Sequence, residues 1–303
     1  MKIVNCKLKI VFFGTSAFAV PALEALVASG MSPVAVVTAP DKPAGRGRKM
    51  TASPVKAFLT SHVSTPSVDN LILQPEKLDI SFFETIAELK PDFGVVASYG
   101  KILPRALLDL FPRGILNIHP SLLPLYRGSS PIQTTILNGD TKTGVTIMLM
   151  DEKMDHGPIL AQKELTSPPN PLSFVSRGGK KTYQELHDEL AKLGANLLVE
   201  TLPKYLDGKI TPIPQDDAKA TYTKMIKKED GLIDWSRDAE YIERMVRAYN
   251  PWPSAYAKLK NGKILKIKKA EVVDGKLVPL VVQPEGKKEM PADAYLRGNQ
   301  LFL

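Results

Sequence analysis

The chain has 303 residues, of which 44% are hydrophobic and 24% charged, and it carries a formal net charge of +8. These proportions exclude a disordered or fibrous chain, and the positive excess points to an anionic partner such as nucleic acid. Cys6 is the only cysteine, which excludes a disulfide framework and a cysteine metal cluster.

Leu8 to Phe13 reads as a buried strand ending at Gly14, after which Thr15 or Ser16 caps a helix over Ala17 to Ser29. Upstream of it, the apolar run at the N-terminus is too short for a signal peptide or a membrane span, so the expected compartment is the cytoplasm. Val34 to Thr38 is a second strand, followed by a Pro/Gly/basic loop over Ala39 to Lys49 that holds Lys42, Arg46, Arg48 and Lys49. A helix near Pro54 to Thr60, a strand at Leu71 to Leu73 and a helix over Ile80 to Leu89 come next. Gly94 to Ser98, Gly114 to Ile118 and Val145 to Met150 are strands, with a helical turn around Ala106 to Leu110. Alternating strands and helices imply an α/β fold, a Rossmann-like and mostly parallel sheet covered on both faces.

Thr182 and Glu185 form a capping box that opens a helix with Tyr183, Leu186, Leu190, Leu193 and Leu197 on one face. Asp207 to Gln215, with Gly208, Pro212 and Pro214, has the composition of a linker. Beyond Thr221 the texture changes to one helix near Asp238 to Ala248 and short alternating segments at Ser254 to Lys260, Lys263 to Val273, Lys276 to Val282 and Asn299 to Leu303. That is the pattern of a small β-barrel or sandwich. The expected organisation is an N-terminal domain over residues 1–206, a linker over 207–220 and a C-terminal β domain over 221–303. A second basic run, including Lys266, Lys268 and Lys269, lies in that last domain.

The densest chemical signal is the stretch Gly114 to Gly128. Asn117 and His119 are two apart on a strand, so their side chains share one side. Asp155 follows another strand end, and the carboxyl ends of strands are where such sheets bind ligands. An amide, an imidazole and a carboxylate are the parts of an acyl-transfer site: an oxyanion donor, a proton carrier and a group that orients it. Other polar features carry less. His62 and His187 have no partner motif and read as surface residues, and the Asp155–His156 pair lacks the further ligands of a metal site. Trp235 and Trp252 read as packing anchors. No dinucleotide or phosphate-loop motif occurs, and no metal is expected.

The run Asn117 to Pro124, the downstream Gly144 to Ile147 and Asp155 resemble the signature of the 10-formyl-tetrahydrofolate-dependent formyltransferases. The resemblance implies that Asn117, His119 and Asp155 are catalytic and that Ser121, Leu122, Leu123 and Pro124 line the site of the formyl donor. Phe13 to Phe18, Pro40 to Lys49, Gln74 to Lys77, Ala220 to Tyr222, Gly231 to Trp235 and Val246 to Pro253 resemble, within that family, the enzymes that formylate initiator methionyl-tRNA. By that likeness the C-terminal domain is an OB-fold-like β-barrel that binds tRNA, and the Gly45-Arg46-Gly47 loop touches the acceptor stem. Lys42, Arg46, Arg48, Lys49, Lys266, Lys268 and Lys269 are the expected tRNA contacts, and a monomer is expected. Ser61 to Asn70 fits the family poorly. Thr166 to Lys181, with Arg177, Lys180 and Lys181, is longer and more basic than the family pattern and reads as a surface insertion.

Overall fold

The computed structural model of the chain describes residues 8–44, 47–62, 71–165, 175–176 and 179–297. It divides into two compact units that do not follow chain order. The first comprises Met1–Arg127, Gly144–Glu164 and Glu189–Ala220; the second comprises Gly128–Thr143, Leu165–Asp188 and Thr221–Leu303.

A seven-stranded sheet runs in the order Ile159–Leu165, Thr143–Leu149, Ile115–His119, Phe93–Ala97, Ile10–Gly14, Ala35–Val37, Leu71–Leu73. The five strands from Ile115–His119 to Leu71–Leu73 pair in parallel, as expected from the alternation of strands and helices. Ile10–Gly14 and Phe93–Ala97 are buried along their whole length, as continuous apolar runs must be when helices cover both faces of a parallel sheet. Val11, Phe13, Phe82, Ile86, Tyr99, Leu107 and Phe111 pack into one cluster beneath that sheet, with the Phe13 ring edge-on to Tyr99 and Phe111 at 5.6 and 6.0 Å.

Helix boundaries follow the local signals. The Asp79 carboxylate accepts from the Phe82 amide at the start of Ile80–Leu89. Glu185 accepts from the Thr182 amide in the anticipated capping box, and the helix it opens runs from Tyr183 to Leu206. Gly194 lies inside that helix because a Cβ there would stand 2.6 Å from the Ile118 side chain, next to the strand that bears Asn117 and His119.

Three features depart from the sequence reading of this unit. The basic loop after Val37 contains an antiparallel hairpin, Lys42–Ala44 with Lys49–Thr51. The strand Ile159–Leu165 has no counterpart in the expected order: it closes the sheet edge, and its Gln162-Lys-Glu segment hides the apolar alternation. Thr143–Leu149 runs antiparallel to Ile115–His119, pairing Thr146 with His119 and Leu149 with Leu116.

In the second unit, Pro131–Asn138 is a helix also missing from the sequence reading. Arg244 of helix Ala239–Tyr249 donates to the Leu137 carbonyl at its end. A four-stranded antiparallel sheet follows, in the order Ala255–Lys258, Ile264–Val273, Lys276–Pro284, Met290–Pro291, with Leu265, Val282, Ala292 and Tyr295 as its core. The Asn299 to Leu303 segment lies outside the described residues.

His187 is buried rather than exposed, its ring tilted against Tyr183 with centroids 5.6 Å apart and bonded to Asp188. Lys181 is buried as well, and its carbonyl accepts from Arg247. Lys180 pairs with the buried Glu243, which also holds Arg247, so the end of the basic insertion is packed against a charged cluster. Trp252 and Trp235 are 57% and 38% exposed, so neither is enclosed in the core; Trp252 stands in the turn that the Ser254 amide closes on the Tyr249 carbonyl. Among the described residues no helix is long and apolar enough to cross a membrane.

Candidate active site

Asn117 and His119 occupy alternate positions at the carboxyl end of a central parallel strand, and both are buried. The strand before Asp155 ends at Leu149, opposite Leu116, and so away from His119. Asp155 therefore does not lie at the carboxyl end of a parallel strand, as the sequence reading supposed. The chain between Met150 and Pro158 folds back to present it. Leu149 donates to the Pro158 carbonyl and Met150 to the Ile115 carbonyl, closing the base of that loop. Asp155 sits at φ 49°, in the left-handed region that a non-glycine residue enters at a cost of about 1–2 kcal/mol. Gly157 is required sterically, because a Cβ there would collide with the Leu149 carbonyl.

One carboxylate oxygen joins the three side chains. Asp155 Oδ1 accepts from Asn117 Nδ2 at 3.2 Å and lies 3.6 Å from His119 Nδ1. The second distance is an ion-pair contact rather than a full hydrogen bond. On its other side His119 Nε2 donates to the Tyr126 carbonyl at 2.9 Å. A carbonyl only accepts, so the hydrogen on a neutral ring resides at Nε2 and Nδ1 is the nitrogen open to chemistry beside Asp155. The imidazole side chain is 5% exposed and the carboxylate 15%, so the pair meets solvent chiefly through Asp155.

The segment after His119 is built stiffly. Ser121 is fully buried and its Oγ donates to the Leu125 carbonyl at 2.6 Å. Thr146 Oγ1 donates to the Ser121 carbonyl and accepts from the Leu123 amide, and Gln162 Nε2 donates to both Thr146 Oγ1 and the Leu123 carbonyl. The Leu123–Pro124 bond is cis. Of the four residues assigned to the formyl donor by resemblance, Ser121 and Leu123 are buried in this framework, while Leu122 and Pro124 stay half-buried. Tyr126, Arg127, Thr146, Gln162 and Gln215 support the site and were not singled out as site residues from sequence. Tyr126 acts through its backbone carbonyl, which leaves no mark in a side-chain pattern, and Gln215 stands in a stretch of linker composition.

His156 occupies both ring nitrogens with carboxylates, Asp151 at 2.6 Å and Asp217 at 3.3 Å. Among the described residues no group of three or more His, Cys, Asp or Glu side chains is arranged to hold a metal ion.

The basic hairpin leaves the carboxyl end of Ala35–Val37, the same sheet edge as His119. Lys42, Arg48 and Lys49 are exposed, and Arg46 lies outside the described residues. The base of the hairpin is tied down by Asp41, which accepts from Lys56 at 2.9 Å and from Gln74 at 2.8 Å. Those contacts, led by the Gln74 bond, hold the Asp41 carboxyl below its usual range. In the second unit Lys269 is exposed and Lys266 half-buried, whereas Lys268 falls at the irregularity between Ile267 and Ala270. The Lys268 side chain is 10% exposed, 3.6 Å from Glu289 and 3.3 Å from Ser254 Oγ, and burial lowers its pKa.

Fold and site together define a formyl transferase: the formyl transferase family model matches residues 8–202, and the formyl transferase C-terminal domain model matches residues 225–277. A methionyl-tRNA formyltransferase from Chloroflexus aurantiacus is 49% identical across 96% of this chain and 97% of its own. The chain belongs to the methionyl-tRNA formyltransferase family. Two solved structures share the fold. A methionyl-tRNA formyltransferase from Clostridium thermocellum is 18% identical, with a TM-score of 0.59 over 91% of this chain and 98% of its own. HypX from Aquifex aeolicus, in complex with tetrahydrofolic acid, is 17% identical with a TM-score of 0.63; the match covers 96% of this chain and 47% of HypX.

Proposed function

We propose that this chain transfers the formyl group of 10-formyl-tetrahydrofolate to the α-amino group of initiator methionyl-tRNA, supplying formylmethionyl-tRNA for translation initiation. The observation that carries the reading is the sharing of Asp155 Oδ1 between Asn117 Nδ2 and His119 Nδ1. The amine nitrogen attacks the formyl carbon, the carbonyl π pair moves to oxygen, and the new C–N bond forms. Collapse of the oxyanion then breaks the bond to the folate nitrogen, which takes up a proton as it leaves.

Each residue has a part in that sequence. An amide nitrogen carries two hydrogens, so Asn117 can hold Asp155 with one and donate to the oxyanion with the other. Protonated His119 donates from Nδ1, because Nε2 is committed to the Tyr126 carbonyl. Asp155 charge-matches the imidazolium and accepts the amine proton, directly or through water. An α-amine has an ordinary pKa of about 7.7–8.0, so a usable fraction is neutral without a strong base. One oxyanion donor is worth about 2.7–4 kcal/mol. In this reading Ser121 to Pro124 lines the donor site, with Leu122 and Pro124 as its accessible faces. Lys42, Arg46, Arg48, Lys49, Lys266, Lys268 and Lys269 contact tRNA. In this reading the chain acts as a cytoplasmic monomer.

Labelled 10-formyl-tetrahydrofolate incubated with the protein and a panel of charged tRNAs tests the assignment. Label is expected on the methionine of initiator tRNA. Label on glycinamide ribonucleotide or an amino-sugar nucleotide instead would refute it.

A further inference from the structure

The carboxylate loop is held from behind by residues outside the trio. Gln215 Nε2 donates to the Asp155 carbonyl at 2.9 Å and to the Gly157 carbonyl at 2.8 Å. Its Oε1 accepts from Arg127 Nε at 3.0 Å. The Arg127 side chain is 1% exposed and also donates from Nη2 to Asp217 at 2.8 Å. Asp217 reaches His156 at 3.3 Å, and His156 reaches Asp151 at 2.6 Å, so the chain of contacts returns to the start of the same loop. A guanidinium this deeply buried is an expensive group to place, and it persists only where its partners are fixed.

Arg127 also follows Tyr126 directly, and the Tyr126 carbonyl is the group that orients His119. Tyr126 is at φ 62° and Asp155 at φ 49°, two left-handed non-glycine residues that surrounding contacts must hold in place. One buried side chain therefore meets both halves of the site: the backbone that sets the imidazole, and through Gln215 the backbone that sets the carboxylate.

We propose that Gln215, clamped by Arg127, is a positioning residue that fixes the Asp155 carboxylate at its distance from His119 and Asn117, so that the segment 207–220 serves catalysis rather than only joining domains. The inference rests on the trio proposed above. Neither residue touches the reacting atoms; they act through the Asp155 backbone. Loss of the two donated bonds lets the strained loop relax, and a displacement of about 1 Å at a reacting group is enough for a hundredfold loss.

Gln215→Glu is the discriminating variant, since it keeps an acceptor for Arg127 and loses both donors to the loop carbonyls. The expected result is a folded protein with KM for both substrates within twofold and kcat lowered by about tenfold to a hundredfold. In an Asp155→Ala background the same change should produce no further loss, because there is no carboxylate left to position. Should Gln215→Glu perturb folding, Gln215→Met, of similar size and uncharged, is expected to give the same pair of results. A kcat within twofold of the parent, or an equal fractional loss with and without Asp155, would overturn the inference while leaving the trio intact. Near-normal turnover in Asp155→Ala itself would instead overturn the trio reading.

Discussion

His119 Nε2 lies 2.9 Å from the carbonyl oxygen of Tyr126, which turns Nδ1 toward Asp155. The two ring nitrogens can therefore be separated by substitution. His119→Gln retains an N–H near the Nε2 position and loses Nδ1; His119→Asn retains an N–H near Nδ1 and loses the bond to Tyr126. Turnover is expected to fall at least about a hundredfold in His119→Gln, and by less in His119→Asn. Initial rates of tRNA formylation with both variants check this. The reverse order would show that Nε2 is the working nitrogen, and equal activities would refute the assignment to Nδ1.

Asn117 and His119 differ from Asp155 in how far the sequence exposes them. Their two-residue spacing on a strand gives their common side directly, and the parallel core follows from alternating strands and helices. Asp155 lies beyond an antiparallel strand, a pairing that local pattern does not encode, and its backbone is held by Gln215 across 60 residues of sequence. Arg127 and Gln215 were invisible for the same reason: a buried polar pair is defined by burial and partners, which only the fold supplies. Lys266, Lys268 and Lys269 look equivalent in sequence, and the strand irregularity at Lys268 makes them unequal.

That inequality is measurable. Phosphate contacts by exposed lysines make log–log plots of tRNA affinity against salt linear, with a slope of roughly 0.7–0.9 per contact. Replacing Lys266 and Lys269 by Ala together should flatten the slope by up to roughly 1.8. Lys268→Ala should change it by less, because Lys268 is 10% exposed and close to Glu289. An unchanged slope in the double variant would reduce this run to a solvated face.

Asp41 and Asp217 contribute to the acid limb of stability. Both carboxyls are held below the ordinary 3.8, Asp41 first by the Gln74 bond and Asp217 first by the Arg127 bond. A carboxylate with a depressed folded pKa contributes stability that is present above its unfolded value. That contribution is lost as pH falls through the folded one. Urea midpoints should therefore hold steady down to about pH 5 and decline below about pH 4. Asp41→Asn and Asp217→Asn should each give a lower midpoint at pH 7 and a shallower decline in acid. A variant curve parallel to the parent's would show that these pairs do not differ between folded and unfolded chains.

The basic hairpin offers the last test. Its strands Lys42–Ala44 and Lys49–Thr51 flank Gly45 to Arg48, and its base is fastened to the sheet edge through Asp41, Lys56 and Gln74. A merely attractive basic loop needs no such fastening, since charge acts over about 8–10 Å without a fixed geometry. A loop that guides the aminoacyl end of a tRNA toward His119 needs both a fork-shaped cation and a rigid base. Arg46 supplies the fork in this reading: its planar guanidinium binds phosphate with two parallel bonds or stacks on a base, and lysine does neither. Arg46→Lys should therefore lower kcat/KM for initiator methionyl-tRNA by at least about tenfold, with KM for 10-formyl-tetrahydrofolate unchanged. Gln74→Ala, which removes the Gln74 bonds of that fastening, keeps the Lys56–Asp41 pair and leaves every positive charge in place, should shift the same parameter in the same direction by a smaller factor. If both variants formylate charged initiator tRNA at the parent's rate, net charge alone accounts for the hairpin and the guiding role is wrong.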